Sequence, residues 1–287
     1  MQADVSRTFD RRARLGWLAA LAVTASLVAG ACGGSGATPQ IIYTILPPTP
    51  SPTATPAPSA TPGPRGSAVA SGSQTAATPT VSSTTVSAVA SDGRWTSTFL
   101  QPVVGGVQTA TTMNASIANR ISAYVSSFTG SGLPVPASGD GPSTLKGQFS
   151  VGFASPGLLS LRFSVTTYVT GAAHPVTEVG SINFDVSTGA VIQLPDIFTS
   201  SAAALPILQS KAHAALSAKL GSDLNWPASI TMSDFGKAWV FTPGGLELGW
   251  SQGDVASMAA GPVAVSIPWS ALKTVLANPG PAAVFIH

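Results

Sequence analysis

Two stretches of the chain space their apolar residues as an amphipathic helix does. In residues 112–128 the apolar positions are Met113, Ile117, Ile121, Tyr124 and Phe128. In residues 201–220 they are Leu205, Leu208, Ala212, Leu216 and Leu220. Residues three or four apart share one face of a helix, and Gly130 and Gly221 follow as stop signals. The pattern predicts two long helices.

Between and after these stretches, apolar and polar residues alternate with the period of two that is typical of half-buried strands. The predicted strands are residues 94–100, 149–153, 159–165, 179–186, 191–194, 238–242, 246–250 and 263–267. Turns rich in Gly and Pro join several of them in pairs. Pro268 is expected to open a short helix over 268–276. We therefore predict an α+β fold in which two long helices and one short helix pack on a largely antiparallel sheet.

The chain before residue 92 has a different composition, rich in Pro, Thr, Ser, Ala and Gly. Such a segment buries too little apolar surface to offset the entropy of ordering, so residues 32–91 are predicted to be a disordered linker. The apolar residues 41–46 are interpreted as a sticky part of that linker. The folded part is predicted to comprise an N-terminal lobe over 92–145, with a strand and a helix, and a C-terminal domain over 146–287.

The first 31 residues have the features of a secretory signal peptide, because four arginines precede an uncharged apolar run over 15–31. The only cysteine, Cys32, follows that run directly. The residues before it resemble a lipobox, which predicts a lipoprotein acylated at Cys32 and anchored on the extracytoplasmic face of the cell membrane. Ala29 and Ala31 also satisfy the A-x-A rule of ordinary cleavage, so a secreted protein is the alternative.

Charge and cysteine content narrow the range of partners and cofactors. The chain has 13 basic and 11 acidic residues, of which 8 and 9 lie from Asp92 onward, so the folded part is nearly neutral. The absence of a basic footprint predicts no nucleic-acid partner. A single cysteine cannot form an internal disulfide or a cysteine-rich zinc or iron–sulfur site. The three histidines are far apart in the sequence, and we expect no metal and no cofactor.

Several short elements in the second half of the chain resemble one known family. They are 168–175 (Tyr-Val-Thr-Gly-Ala-Ala-His-Pro), 183–185 (Asn-Phe-Asp), 188–189 (Thr-Gly), 194–198 (Leu-Pro-Asp-Ile-Phe), 244–248 and 261–268. Their order and spacing resemble the extracytoplasmic domain of RsiV, which is also similar to domains beside the deacetylase of PdaC and in a secreted mycobacterial antigen family. Because that domain of RsiV binds lysozyme, the resemblance implies a ligand-binding module.

Four residues are candidates for ligand contact, although no catalytic residue can be assigned. His174 lies in the family-like turn and could act as a base or ligand, or its ring could hydrogen-bond to the backbone. Asp185 and Asp196 could form a carboxylate pair for glycoside chemistry, but both positions also suit turns and caps. Trp226, next to Pro227 in a predicted loop, could anchor a ligand, whereas most other tryptophans of this region are predicted to be core.

Three functions remain open from the sequence. The preferred one is a membrane-tethered extracytoplasmic binding module for a protein such as lysozyme or for cell-wall glycan. The second is a cell-envelope polysaccharide hydrolase or deacetylase-associated enzyme that acts through Asp185, Asp196 or His174. The third is a structural envelope lipoprotein. The sequence leaves the ligand and the oligomeric state open.

Overall fold

The computed structural model of the chain describes residues 77–285. The predicted signal peptide, Cys32 and most of the predicted linker lie outside these residues. Within the described range, no helix is both long and apolar enough to cross a membrane.

Among the residues that the structure describes, eight strands form two sheets. The strands of the first sheet are β1 (Thr80–Val89), β2 (Trp95–Gly105), β3 (Ser143–Ala154), β4 (Leu158–Tyr168) and β5 (Val176–Asp185). Those of the second are β6 (Trp239–Thr242), β7 (Gly245–Trp250) and β8 (Val263–Pro268). The helices are α1 (Ala110–Thr129), α2 (Ser201–Leu220), α3 (Met232–Phe235) and α4 (Trp269–Leu272).

The first sheet has the strand order β1-β2-β3-β4-β5. Neighbours are antiparallel except for β2 and β3, which run parallel. The helix α1 makes the crossover that a parallel pair requires. It buries Met113, Ile117 and Ile121 in one core with Phe99 of β2 and Phe163 of β4. The spacing of apolar residues on α1 therefore marks the face that packs on this sheet.

The second sheet has the order β6-β7-β8 and packs against α2. Leu208 and Leu216 of α2 share a second core with Phe241 of β6 and Leu248 of β7. Local signals fix the ends of α2, because the Ser200 hydroxyl accepts a hydrogen bond from the Ala203 N–H at its start and Gly221 follows its last residue. The predicted range 201–220 is confirmed.

On the edge of β6 that faces away from β7, the backbone forms hydrogen bonds with side chains of the first sheet instead of with another strand. The Trp239 N–H donates to the Ser181 hydroxyl at 2.9 Å, and the Trp239 carbonyl accepts from the Asn183 side-chain amide at 3.0 Å. The Phe241 N–H donates to the Ser160 hydroxyl at 2.9 Å, and that hydroxyl also bonds the Asn183 side chain. All three polar side chains are buried. They supply the partners that a strand edge would otherwise lack.

The predicted fold class is confirmed, since the described residues form an α+β structure with mainly antiparallel sheets. The strands make two sheets, however, where one was predicted. Residues 191–194 were predicted to be a strand, but only Val191 bridges Phe184, and a 3-10 helix begins at Leu194. Pro195 favours this outcome because it has no N–H to donate to a strand partner. The short helix was predicted over 268–276 and covers Trp269–Leu272. The short α3 was not predicted.

Two predicted boundaries were wrong. The linker was predicted to extend to residue 91, but β1 occupies Thr80–Val89 and pairs along its length with β2. Six of its ten residues are β-branched. Such residues favour a strand, although the Ser and Thr content of this segment resembles that of a linker. The predicted boundary between residues 145 and 146 falls inside β3, which pairs with β2 before it and β4 after it. The five strands share one sheet, so the lobe does not end there.

Candidate functional site

His174 lies in the exposed connection between β4 and β5. Its Nδ1 is 3.2 Å from the carbonyl oxygen of the adjacent Pro175. The connection is held mainly by Thr170, whose N–H donates to the Ser143 hydroxyl at 3.0 Å and whose hydroxyl donates to the Gly141 carbonyl at 2.8 Å. His174 is therefore presented to solvent on a turn that other residues anchor.

Asp185 ends β5 and organises the turn that follows. Its Oδ1 accepts from the Ser187 N–H at 2.8 Å, from the Ser187 hydroxyl at 2.6 Å and from the Thr188 N–H at 3.4 Å. Partial burial raises the pKa of Asp185, but these hydrogen bonds outweigh that effect and bring its pKa below the usual value. The carboxylate therefore serves the turn that its sequence position suggested.

Asp196 has a comparable structural task in the 3-10 helix Leu194–Ile197. Its Oδ2 accepts from the Gln193 N–H at 2.7 Å and so caps the start of that helix. The neighbouring Leu194 and Ile197 are buried in the core. Asp185 and Asp196 therefore each bond the backbone of a different turn.

Trp226 lies in the loop after α2 and is partly buried. Its ring is perpendicular to that of His213 on α2, with centroids 5.3 Å apart, and its centroid is 6.5 Å from that of Trp250 on β7. Trp239 and Trp250 are buried on the two arms of the β6–β7 hairpin, as the sequence predicted. Trp226 thus connects an exposed histidine to the core.

Next to Trp226 and Trp250 lies a cleft that combines polar and apolar groups, and we call it the polar cleft. Its volume is about 160 Å³. It is lined by Val179, Pro227, Ser229, Ile230, Asp234, Lys237, Ala238, Gly249, Trp250, Ser251, Asp254 and Val255. The edge of β5, the loop after Trp226, the end of α3 and the end of β7 contribute these residues. None of the four candidates lines it, although Trp226 contacts one of its walls.

The charged groups of the polar cleft are held in place by local hydrogen bonds. Asp234 accepts from the Thr231 hydroxyl at 2.7 Å and from the Thr231 N–H at 2.9 Å, and it forms an ion pair with Lys237 at 3.0 Å. These contacts, with the Thr231 bonds largest, lower the pKa of Asp234 to about 2. Asp254 accepts from the Ser251 N–H at 2.9 Å. Two carboxylates and one ammonium group therefore line a single cleft in defined positions.

A further carboxylate, Glu178 of β5, lies close enough to influence this charge pattern. Burial raises its pKa, the negative charge of Asp254 raises it further, and Arg120 of α1 opposes both effects. None of Glu178, Asp234, Lys237 and Asp254 was a candidate in the sequence analysis. The spacing of Thr231 and Asp234, which fits a helix-capping box, was the one local signal for this region.

No group suited to hold a metal is found among residues 77–285, since no three His, Cys, Asp or Glu side chains converge there. The polar cleft is lined by none of the four candidate residues, and the cleft beside Leu158 and Pro279 by Asp185 alone among them. His174, Asp185, Asp196 and Trp226 therefore occupy separate surroundings.

In this α+β domain, the second sheet and α2 lie in the part of the chain that matches a known protein family. Residues 195–270 match the model of a protein family of unknown function, DUF3298. That match covers the chain from the 3-10 helix before α2 to the start of α4. This part of the chain is thus similar to the DUF3298 family.

Solved structures of that family resemble this chain. A DUF3298 family protein from Pseudomonas aeruginosa PAO1 aligns over 69% of this chain and 94% of its own, with 14% identity and a TM-score of 0.50. A DUF3298 member from Bacteroides fragilis NCTC 9343 aligns over 70% and 95%, with 17% identity and a TM-score of 0.49. The first likeness supports a common fold. No curated protein matches the chain.

Proposed function

We propose that this protein is a membrane-tethered extracytoplasmic module that binds cell-wall glycan in the polar cleft. Acylation at Cys32 would provide the anchor, and the Pro-rich segment before β1 would provide the spacing from the membrane. The resemblance to RsiV-type domains supports a binding role for this kind of domain. We choose glycan as the ligand because of the residues that line the polar cleft.

A sugar presents hydroxyl groups around its ring and apolar C–H groups on its faces. The carboxylates of Asp234 and Asp254 accept hydrogen bonds from hydroxyls, and the Lys237 ammonium donates them. Val179, Ile230 and Trp250 give the same cleft an apolar lining. A small set of fixed polar groups in a partly apolar concavity is the usual form of a small-molecule site. This combination favours a neutral, hydroxyl-rich ligand.

The state of Asp234 argues against this residue as the general acid of a glycosidase. A glycosidase needs one carboxylic acid that stays protonated near the working pH, which requires a raised pKa. The pKa of Asp234 is instead lowered to about 2 by Thr231 and Lys237. Asp234 is therefore ionised at neutral pH, where it can accept hydrogen bonds from a sugar but cannot protonate a leaving group.

The test uses the chain with Cys32→Ser, which prevents acylation, and soluble peptidoglycan fragments in isothermal titration calorimetry. We expect saturable binding, and we expect Lys237→Met to weaken it about tenfold because one charged hydrogen bond is lost. Lys273→Met is the matched control, since Lys273 is exposed and does not line the cleft. Lack of binding by the parent chain, or equal affinity in Lys237→Met, would contradict the proposal.

The same preparation distinguishes the other two functions and a protein ligand. Heat from lysozyme but none from glycan fragments would favour a protein ligand. Release of reducing ends or acetate from peptidoglycan would favour the enzyme. Copurification of a membrane protein without either response would favour a structural lipoprotein. His174→Ala belongs in this series, since its exposed ring can be removed without disturbing a core contact.

A further inference from the structure

A second cleft lies between α1 and the strands β1 and β2, on the opposite part of the domain, and we call it the apolar cleft. Its volume is about 140 Å³. It is lined by Val86, Ala88, Trp95, Ser97, Phe99, Gln101, Ala118, Ile121, Ser122, Val125, Ser126 and Thr129. None of these side chains is titratable. Its chemistry therefore differs from that of the polar cleft, which holds three charged groups.

The apolar cleft exists because small residues face each other above a floor of large ones. The floor contains Trp95, Phe99 and Ile121, all buried. On α1, Ala118, Ser122 and Ser126 follow one another at intervals of four residues and so lie on one face of the helix. Their short side chains do not reach across to β1, where Ala88 is also small. Space is left between two elements that otherwise share one core.

A buried hydroxyl gives this cleft a specific polar feature. Ser97 of β2 is only 4% exposed and lines the cleft. Within residues 77–285, no side-chain hydrogen bond to its hydroxyl is found, whereas the buried hydroxyls of Ser143, Ser160 and Ser181 all have partners. Because Ser97 lines the cleft, an oxygen of a bound ligand can form a hydrogen bond with this hydroxyl.

We infer that the apolar cleft binds an alkyl group that carries an uncharged oxygen, with the Ser97 hydroxyl as its hydrogen-bond partner. An apolar cavity of about 150 Å³ accepts benzene, so this cleft has room for an apolar group of about that size. A neutral lining disfavours a charged ligand, because burying an unpaired charge is costly. Acyl esters of lipids and free medium-chain alcohols both have this chemistry. The inference does not depend on glycan binding in the polar cleft.

The test titrates the Cys32→Ser chain with 1-octanol, as a free amphiphile, and with dioctanoylphosphatidylcholine below its micellar concentration, as a lipid. Binding is followed by amide chemical shifts in heteronuclear NMR. We expect saturable shifts confined to α1, β1 and β2. Octanoate, which has an eight-carbon chain with a negative charge, should bind at least tenfold more weakly. A response to only one of the two neutral probes identifies the source of the natural ligand.

Two variants test the location and the role of the hydroxyl. Ser122→Leu fills the cleft from its rim and should reduce octanol affinity at least tenfold, while Ser127→Leu, on an exposed position of the same helix outside the cleft, should not change it. Ser97→Ala should weaken octanol binding about fivefold, the effect of one neutral hydrogen bond. Circular dichroism verifies that each variant is folded.

Three results would overturn this inference. The first is no saturable binding of either neutral probe to the parent chain. The second is undiminished binding in a folded Ser122→Leu variant. The third is a dimer of the parent chain that Ser122→Leu converts to a monomer in sedimentation velocity, since the cleft would then be a contact between two copies. Glycan binding with Lys237→Met is measured separately, so failure at one cleft leaves the other proposal standing.

Discussion

Arg162 of β4 forms an ion pair with Glu247 of β7 and thereby joins the two sheets. Both side chains are about one quarter exposed. Glu247 Oε1 is shielded from water and has the guanidinium as its partner. Burial lowers the pKa of Arg162. The sheets therefore meet through a charged contact as well as through their apolar cores, and each charge depends on the other for compensation.

Removing both partners of this pair should cost less than the sum of the two single losses. We expect Arg162→Met or Glu247→Leu alone to lower the free energy of unfolding by about 1–2 kcal/mol, because the remaining charge loses its partner in a partly buried setting. The double variant should be more stable than the sum of the two losses predicts, by about 1 kcal/mol. Urea denaturation of the four proteins measures this coupling. Strictly additive losses would show that the two side chains do not interact in solution.

We expect the loss of the Asn183 hydrogen bonds to destabilise the fold more than the loss of one ion-pair partner, although fewer atoms are removed. Asn183→Ala leaves the buried Trp239 carbonyl without its donor and the Ser160 hydroxyl without its acceptor. Each unsatisfied buried group costs about 1–3 kcal/mol, so we expect a loss of about 2–4 kcal/mol in urea denaturation. Asn119→Ala, on an exposed position of α1, is the control and should change stability by less than about 0.5 kcal/mol.

Local signals explain which elements could be predicted from the sequence. The helix α2 was predictable because its leucine spacing, Ser200 and Gly221 all lie within about twenty residues. The contact of Trp239 with Asn183 spans 56 residues and leaves no periodic signal. The strand β1 was missed because Ser and Thr suit both a linker and a half-exposed edge strand. Trp226, selected from the sequence as a loop tryptophan, is partly buried beside the polar cleft, whereas Asp234 and Lys237 line that cleft together with Trp250 only through tertiary packing.

The position of β1 predicts that part of the assumed linker is needed for stability. Deleting residues 77–91 removes a strand paired with β2 and one wall of the apolar cleft. We expect the free energy of unfolding to fall by about 2 kcal/mol or more, since ladder hydrogen bonds and the burial of Ala88 are lost. Octanol binding should disappear in the same protein.

The matched control deletes residues 53–67, an equal length of the predicted linker. It should leave the unfolding midpoint and octanol binding unchanged. Equal stability of the two deletion proteins would mean that β1 does not contribute to the folded domain. A stable 77–91 deletion that still binds octanol would also contradict the location of the apolar cleft.

The lowered pKa of Asp234 predicts an acid-dependent part of the stability. Its pKa falls from the ordinary value of 3.8 to about 2 in the folded chain. The ionised carboxylate therefore stabilises the fold above about pH 4, and this contribution is lost as the pH falls toward 2. Full burial would make such a shift worth about 2 kcal/mol. Because the side chain is 38% exposed, screening by water reduces it to about 1 kcal/mol or less.

Asp234→Asn removes the charge but keeps an oxygen that can accept the Thr231 hydrogen bonds. We expect the parent chain to be more stable than this variant by up to about 1 kcal/mol at pH 6, and the difference to shrink toward zero at pH 2. Urea denaturation at intervals between pH 2 and pH 6 measures it. Asp140→Asn, in the exposed loop before β3, is the control substitution. A parent–variant difference for Asp234 that stays constant over this range would mean that the Thr231 and Lys237 contacts do not stabilise its charged form.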